Sequence, residues 1–102
     1  MKRVFIGFLL ALISFAARAE NATVSIDKYQ FLPAKVTIKA GDTVTWVNNE
    51  KRTSHSVLFE DVPESDRFFP EEKWQRKFDK PGLHPYVCGP HKDMKGEVEV
   101  LP

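Results

Sequence analysis

Cys88, His91 and Met94 fall within seven residues, in Cys88-Gly89-Pro90-His91-Lys92-Asp93-Met94. A thiolate, an imidazole and a thioether held so close together make a donor set for a soft metal. Two imidazoles and one thiolate in a trigonal plane, with a weak axial thioether, are the ligands of a one-electron copper centre. The second imidazole has a candidate in His55, in Ser54-His55-Ser56-Val57-Leu58-Phe59, 33 residues before Cys88. Thiolate and thioether suit Cu(I) and imidazole suits either oxidation state, so the expected cofactor is one copper ion cycling between Cu(I) and Cu(II). Zinc is the chemical rival, but structural zinc prefers several Cys or His and does not recruit Met.

The neighbours of these residues bear on how the donors are held. Gly89 permits a tight turn and Pro90 stiffens it. Pro90 also lacks an N–H, so it cannot donate to the Cys88 sulfur, whereas the backbone N–H of Ser56 is placed to do so. Fewer donors leave the thiolate electron-rich, which favours Cu(II) and lowers the potential of an otherwise equal site. Cys88 is the one cysteine of the chain, so an internal disulfide is excluded. In an oxidising compartment a lone thiol needs protection, and coordination would supply it.

Export is what the N-terminus announces. Lys2 and Arg3 precede the apolar stretch Val4 to Ala17, and Ala17-Arg18-Ala19 matches a cleavage site. A bilayer span takes about 20 apolar residues, and Arg18 interrupts this run too early. The expected organisation is a cleaved signal peptide over residues 1–19 and one domain over residues 20–102, in the periplasm and without stable membrane insertion. Loss of Lys2, Arg3 and Arg18 leaves 12 basic against 14 acidic side chains, a net charge of −2. The basic residues are scattered, which argues against nucleic acid as a partner.

The elements that must position the ligands read as strands. Thr23 to Ile26, Lys35 to Lys39, Thr43 to Val47 and Glu97 to Leu101 alternate or carry β-branched residues. Val57 to Phe59, Trp74 to Phe78 and Leu83 to Cys88 complete the set, with turns at Ala40-Gly41-Asp42 and Pro81-Gly82. Seven or eight short strands without helical periodicity predict an all-β sandwich or barrel. Glu60 to Glu72 is irregular, and its adjacent Phe68 and Phe69 are expected to cap the core. On strand parity His84, Tyr86 and Cys88 share a face, where His84 is expected to be a hydrogen-bonded packing residue.

The chain resembles the cupredoxins over Phe31 to Leu101. Phe31-Leu32-Pro33-Ala34-Lys35-Val36-Thr37-Ile38 is similar to the family's F-x-P-x-x-V-x-I opening, and Gly41 to Asn48 to its G-D-x-V-x-W-x-N strand. The Cys-x-x-His-x-x-Met spacing is most similar to that of the amicyanins, with plastocyanins and pseudoazurins more distant. Gly96 resembles the glycine that leads into the last strand. The resemblance implies a Greek-key β-sandwich with His55, Cys88, His91 and Met94 on copper. One departure is Ser56, where the family commonly has an Asn that braces the ligand loop.

The expected function is that of a monomeric, mobile one-electron carrier between redox proteins such as a c-type cytochrome, a dehydrogenase or an oxidase. Electrons would pass the edge of His91, ringed by Pro33, Pro90 and Pro85. Glu60, Asp61 and Glu64 lie where plastocyanin-like members carry acids, and are candidates for docking a basic partner; a merely solvated loop is the alternative. Copper delivery, storage or resistance is the other functional reading. Carriers of that kind use Met-rich or open surfaces, and past the signal this chain has Met94 alone. Enzymatic multicopper chemistry would need more His than His55, His84 and His91.

Overall fold

A computed structural model describes residues 21–102, which form eight strands and no helix. These are β1 (Asn21–Asp27), β2 (Gln30–Leu32), β3 (Lys35–Lys39), β4 (Thr43–Asn48), β5 (Leu58–Phe59), β6 (Lys73–Lys77), β7 (Gly82–Val87) and β8 (Lys95–Leu101). The expected signal peptide lies outside the described residues. Two four-stranded sheets form, in the orders β2-β1-β4-β6 and β3-β8-β7-β5. The pairs β1–β4 and β3–β8 are parallel, and the remaining neighbours are antiparallel. Parallel partners cannot be joined by a hairpin. The chain therefore crosses from one sheet to the other at β3 and returns at β4, giving the sandwich.

Alternation places one side of each central strand in the core. Val24 and Ile26 of β1, Val36 and Ile38 of β3, Val44 and Trp46 of β4, and Val98 and Val100 of β8 are all buried. Each such side chain contributes about 1.5–3 kcal/mol over leaving it in water. Trp46 is the hub: its ring centroid lies 5.3 Å from Trp74, 5.4 Å from Tyr86 and 6.0 Å from Phe59. Burial pushes the Tyr86 phenol up to about 12, with the Trp46 indole opposing. Neither Trp46 Nε1 nor Tyr86 OH has a hydrogen-bond partner of good geometry.

One strand escaped the sequence reading. β2 follows β1 through a two-residue turn, Lys28-Tyr29, in which both residues adopt left-handed φ of 53° and 59°. Such turns favour Asn-Gly or Asp-Gly, and Lys-Tyr carries no such signal. Of the two adjacent phenylalanines only Phe68 caps the core, at 4% exposure, while Phe69 is 55% exposed. Successive residues on extended chain face opposite ways, so one pair cannot both point inward.

Asn48 ties the fold to the candidate site. Fully buried at the end of β4, its Nδ2 donates to the carbonyls of Thr53 and Phe68 at 2.8 and 3.0 Å. Its Oδ1 accepts the N–H of Glu50 at 2.9 Å. Phe68 in turn exchanges both backbone hydrogen bonds with His55, at 2.9 and 3.1 Å. A single amide thus fixes the loop leading to His55 and the segment that His55 pairs with.

Candidate metal centre

Three of the predicted donors converge at one end of the sandwich. Cys88 Sγ lies 3.5 Å from His55 Nδ1 and 3.5 Å from His91 Nδ1. All three donor atoms fall within 4.8 Å of one another. Donors sharing one ion at about 2.0–2.3 Å each would sit at such separations. Cys88 and His55 are fully buried, and His91 is partly exposed. Charge, softness and spacing therefore fit a copper ion held by His55, Cys88 and His91.

Met94 is held to the same loop by backbone bonds. Its N–H donates to the His91 carbonyl at 2.9 Å, and its own carbonyl accepts the Cys88 N–H at 3.1 Å. The His91 N–H donates to the Cys88 carbonyl at 3.2 Å, so each turn of the loop is closed. The Met94 side chain, 4% exposed, packs into the core cluster with Cys88. Its thioether is the fourth donor of the proposed set.

His55 is oriented from behind. Its Nε2 lies 3.0 Å from Glu50 Oε2, which also accepts the Tyr29 backbone N–H at 2.8 Å. An acceptor at Nε2 places the proton there and leaves the Nδ1 lone pair facing Cys88. Burial depresses the His55 pKa below 6.5, against the opposing pull of Glu50. The neutral form needed by a metal is thereby favoured. Partial burial alone would raise the Glu50 carboxyl, but the Tyr29 N–H and His55 together outweigh it and hold it below its ordinary value.

Tyr29 and Glu50 are site residues that the sequence did not reveal. The Tyr29 ring stands edge-on to both imidazoles, with centroids 5.7 Å from His55 and 5.0 Å from His91. Its hydroxyl lies 3.1 Å from Thr53 Oγ1. Pairing of β1 with β2 brings it there, and that turn had no sequence signal. An acid five residues before a histidine is likewise too common to single out Glu50.

The residues beside the ligands differ in part from expectation. The two imidazole nitrogens are polar neighbours of Cys88 Sγ. The Ser56 hydroxyl accepts the Gly89 N–H at 3.0 Å. Pro90 is exposed on the loop beside His91, whereas Pro85 lies within β7 opposite Glu97. His84 packs edge-on to Phe78 at 5.4 Å, with Nε2 2.9 Å from the Lys80 carbonyl.

The three acids considered for docking are not equivalent. Asp61 is paired with Arg76, at 3.0 and 3.4 Å. The Arg76 guanidinium lies over the rings of Phe59 and Phe78, 4.6 and 4.4 Å from their centroids. Its hydrogen bond holds the Asp61 carboxyl below the usual range. Glu64 accepts a hydrogen bond from the Ser56 hydroxyl at 2.6 Å, and Glu60 and Glu64 are both exposed.

Comparison with known proteins agrees with this geometry. Residues 18–101 match the family described as copper binding proteins, plastocyanin/azurin family. The chain is 38% identical to amicyanin-alpha of Methylorubrum extorquens, over 82% of this chain and 75% of that one. It is 38% identical to a chloroplastic plastocyanin of Tetradesmus obliquus, over 92% of this chain and 73% of that one. The crystal structure of amicyanin from Paracoccus versutus superposes with a TM-score of 0.73 at 33% identity, covering 84% of each chain.

Proposed function

Because the chain belongs to the plastocyanin/azurin family of copper binding proteins, we propose that it is an exported, mobile one-electron carrier rather than an enzyme. The observation that carries this reading is the graded burial of its donors. His55 and Cys88 are sealed, and His91 alone of the three reaches toward solvent.

Copper, when bound, supplies a couple that accepts and returns one electron at a time. The chain supplies the rest. Cys88 and Met94 offer soft donors and His55 and His91 offer imidazoles acceptable to both oxidation states. Donors held by the sandwich and by Glu50 have little freedom to rearrange, which keeps the cost of a change in charge low. His91, beside the exposed Pro90, presents the edge at which a redox partner docks. A small contact of this kind matches the weak, low-area interfaces of electron-transfer encounters.

We assign the protein to the periplasm on the strength of the N-terminal pattern. Its partners would be redox proteins such as a c-type cytochrome, a dehydrogenase or an oxidase. Intact-mass analysis of the exported protein should show cleavage after Ala19.

The direct test is the visible spectrum of the mature protein with Cu(II). An intense thiolate-to-copper band, bleached and restored by one-electron reduction and oxidation, is expected. Cys88→Ser should abolish it. A colourless, zinc-selective protein would sink the carrier reading, and a copper site that binds without reversible reduction would favour storage or delivery.

A further inference from the structure

The ligand loop is anchored beside Cys88 to the segment leading into β5, the neighbour of β7 in the same sheet, and that anchor has two parts. The Gly89 N–H donates to Ser56 Oγ at 3.0 Å, and the Ser56 hydroxyl donates to Glu64 Oε2 at 2.6 Å. A serine hydroxyl has one proton and can rotate it among several acceptors. With that proton committed to a carboxylate, the oxygen is left to face Gly89 as an acceptor. Bonds to an ionised partner are shorter and stronger, and a polarised hydroxyl accepts better.

The surroundings make this a built arrangement. Ser56 is fully buried between His55 and Val57, both also at 0% exposure. Residues Glu64 and Ser65 are knitted to that strand: the Ser65 N–H donates to the Val57 carbonyl at 3.0 Å, and Ser65 Oγ accepts the Val57 N–H at 2.9 Å. The Glu64 carboxylate lies directly over Gly89, where an added Cβ would overlap both it and the Ser56 hydroxyl. Glycine at 89 thus makes room for the carboxylate and for the Ser56 hydroxyl.

We infer that Glu64 is a positioning residue for the metal-binding loop: through the Ser56 hydroxyl it fixes the Gly89 peptide, and with it the placement of Cys88. It also sets a negative charge beside the peptide that follows the thiolate. The inference rests on the copper reading for its redox consequence only. The geometric part can be read in the metal-free protein.

Hydrogen exchange at the Gly89 amide of the metal-free protein tests the anchor, with the Val57 and Val98 amides as controls for local and global integrity. Glu64→Ala and Ser56→Ala should each lower Gly89 protection by about tenfold, the scale of a hydrogen bond to a charged system. The double variant should lose no more than either single one, because both act through one chain of bonds. Glu64→Gln, which can still accept from Ser56, should restore most of the protection. After copper loading the same Gln variant should show a raised midpoint potential, since a negative charge that favours the oxidised state is gone. Unchanged Gly89 protection in Glu64→Ala, or losses that multiply in the double variant, would overturn the assignment. Failure to take up copper in every form would instead count against the carrier reading, leaving the exchange result standing.

Discussion

Glu50 Oε2 sits 3.0 Å from His55 Nε2, on the opposite side of the imidazole from Cys88. One carboxylate therefore sets both the tautomer and the angle of a ligand that solvent never reaches. Glu50→Ala should weaken copper affinity by about 10–100-fold, the usual cost of losing such a partner. Competition against a chromophoric chelator measures it. An affinity equal to that of the parent protein would show that packing alone orients His55.

Asn48 should matter as much to stability as any apolar core residue. Asn48→Ala strands the Thr53 carbonyl and the Glu50 N–H, and takes from the Phe68 carbonyl one of its two donors, the His55 N–H remaining. Leaving buried polar groups unpaired costs about 1–3 kcal/mol each, so a loss of roughly 3 kcal/mol is expected. Urea unfolding of the metal-free variant gives the value. A loss below about 1 kcal/mol would mean that the loop re-pairs without it.

Acid should erase the contribution of Asp61. Its carboxyl titrates below its ordinary value of 3.8 because Arg76 bonds to it. A group with a lowered folded pKa adds stability above its unfolded value, and that stability fades as pH falls through the folded one. Asp61→Asn should thus be less stable than the parent near neutral pH and equal to it in strong acid. Asp61 is 48% exposed, so screening limits the neutral-pH difference to about 0.5 kcal/mol. A gap that persists unchanged into strong acid would assign the effect to packing.

Gly96 and Tyr86 make a paired prediction. A Cβ on Gly96 would overlap the Tyr86 phenol, so Gly96→Ala should cost about 1–3 kcal/mol through overpacking. Tyr86→Phe removes a buried hydroxyl that has no hydrogen-bond partner of good geometry. It should be neutral or stabilise by up to about 1 kcal/mol. Thermal unfolding of both variants reads the two signs, and a strongly destabilised Tyr86→Phe would contradict the structure.

Much of this site was written locally. Cys88, His91 and Met94 are neighbours in sequence, and the alternation of β4 and β8 shows which faces turn inward. What stayed hidden depends on contacts that strand pairing creates. Tyr29 reaches the imidazoles because a Lys-Tyr turn adopts left-handed φ without glycine. Glu64 is an exposed acid whose bond to Ser56 appears only when residues 64–65 fold back along Ser56 and Val57. The Ser56 hydroxyl likewise meets Gly89 only once distant segments have paired.

The place of β8 bears on when a molecule becomes competent to hold copper. It lies inside its sheet, between β7 and a parallel β3 whose residues pair across 62 positions, as in Lys35 with Glu97. Such distant pairings form slowly. The segment between β7 and β8 carries Cys88, His91 and Met94, and it is the nearer pairing of β5 with β7 that sets His55 beside them. A molecule without that pairing offers a soft ion three donors at most. Full-strength metal capture therefore follows the closing of β5 on β7, while the slower pairing of β3 with β8 holds the far end of the ligand loop.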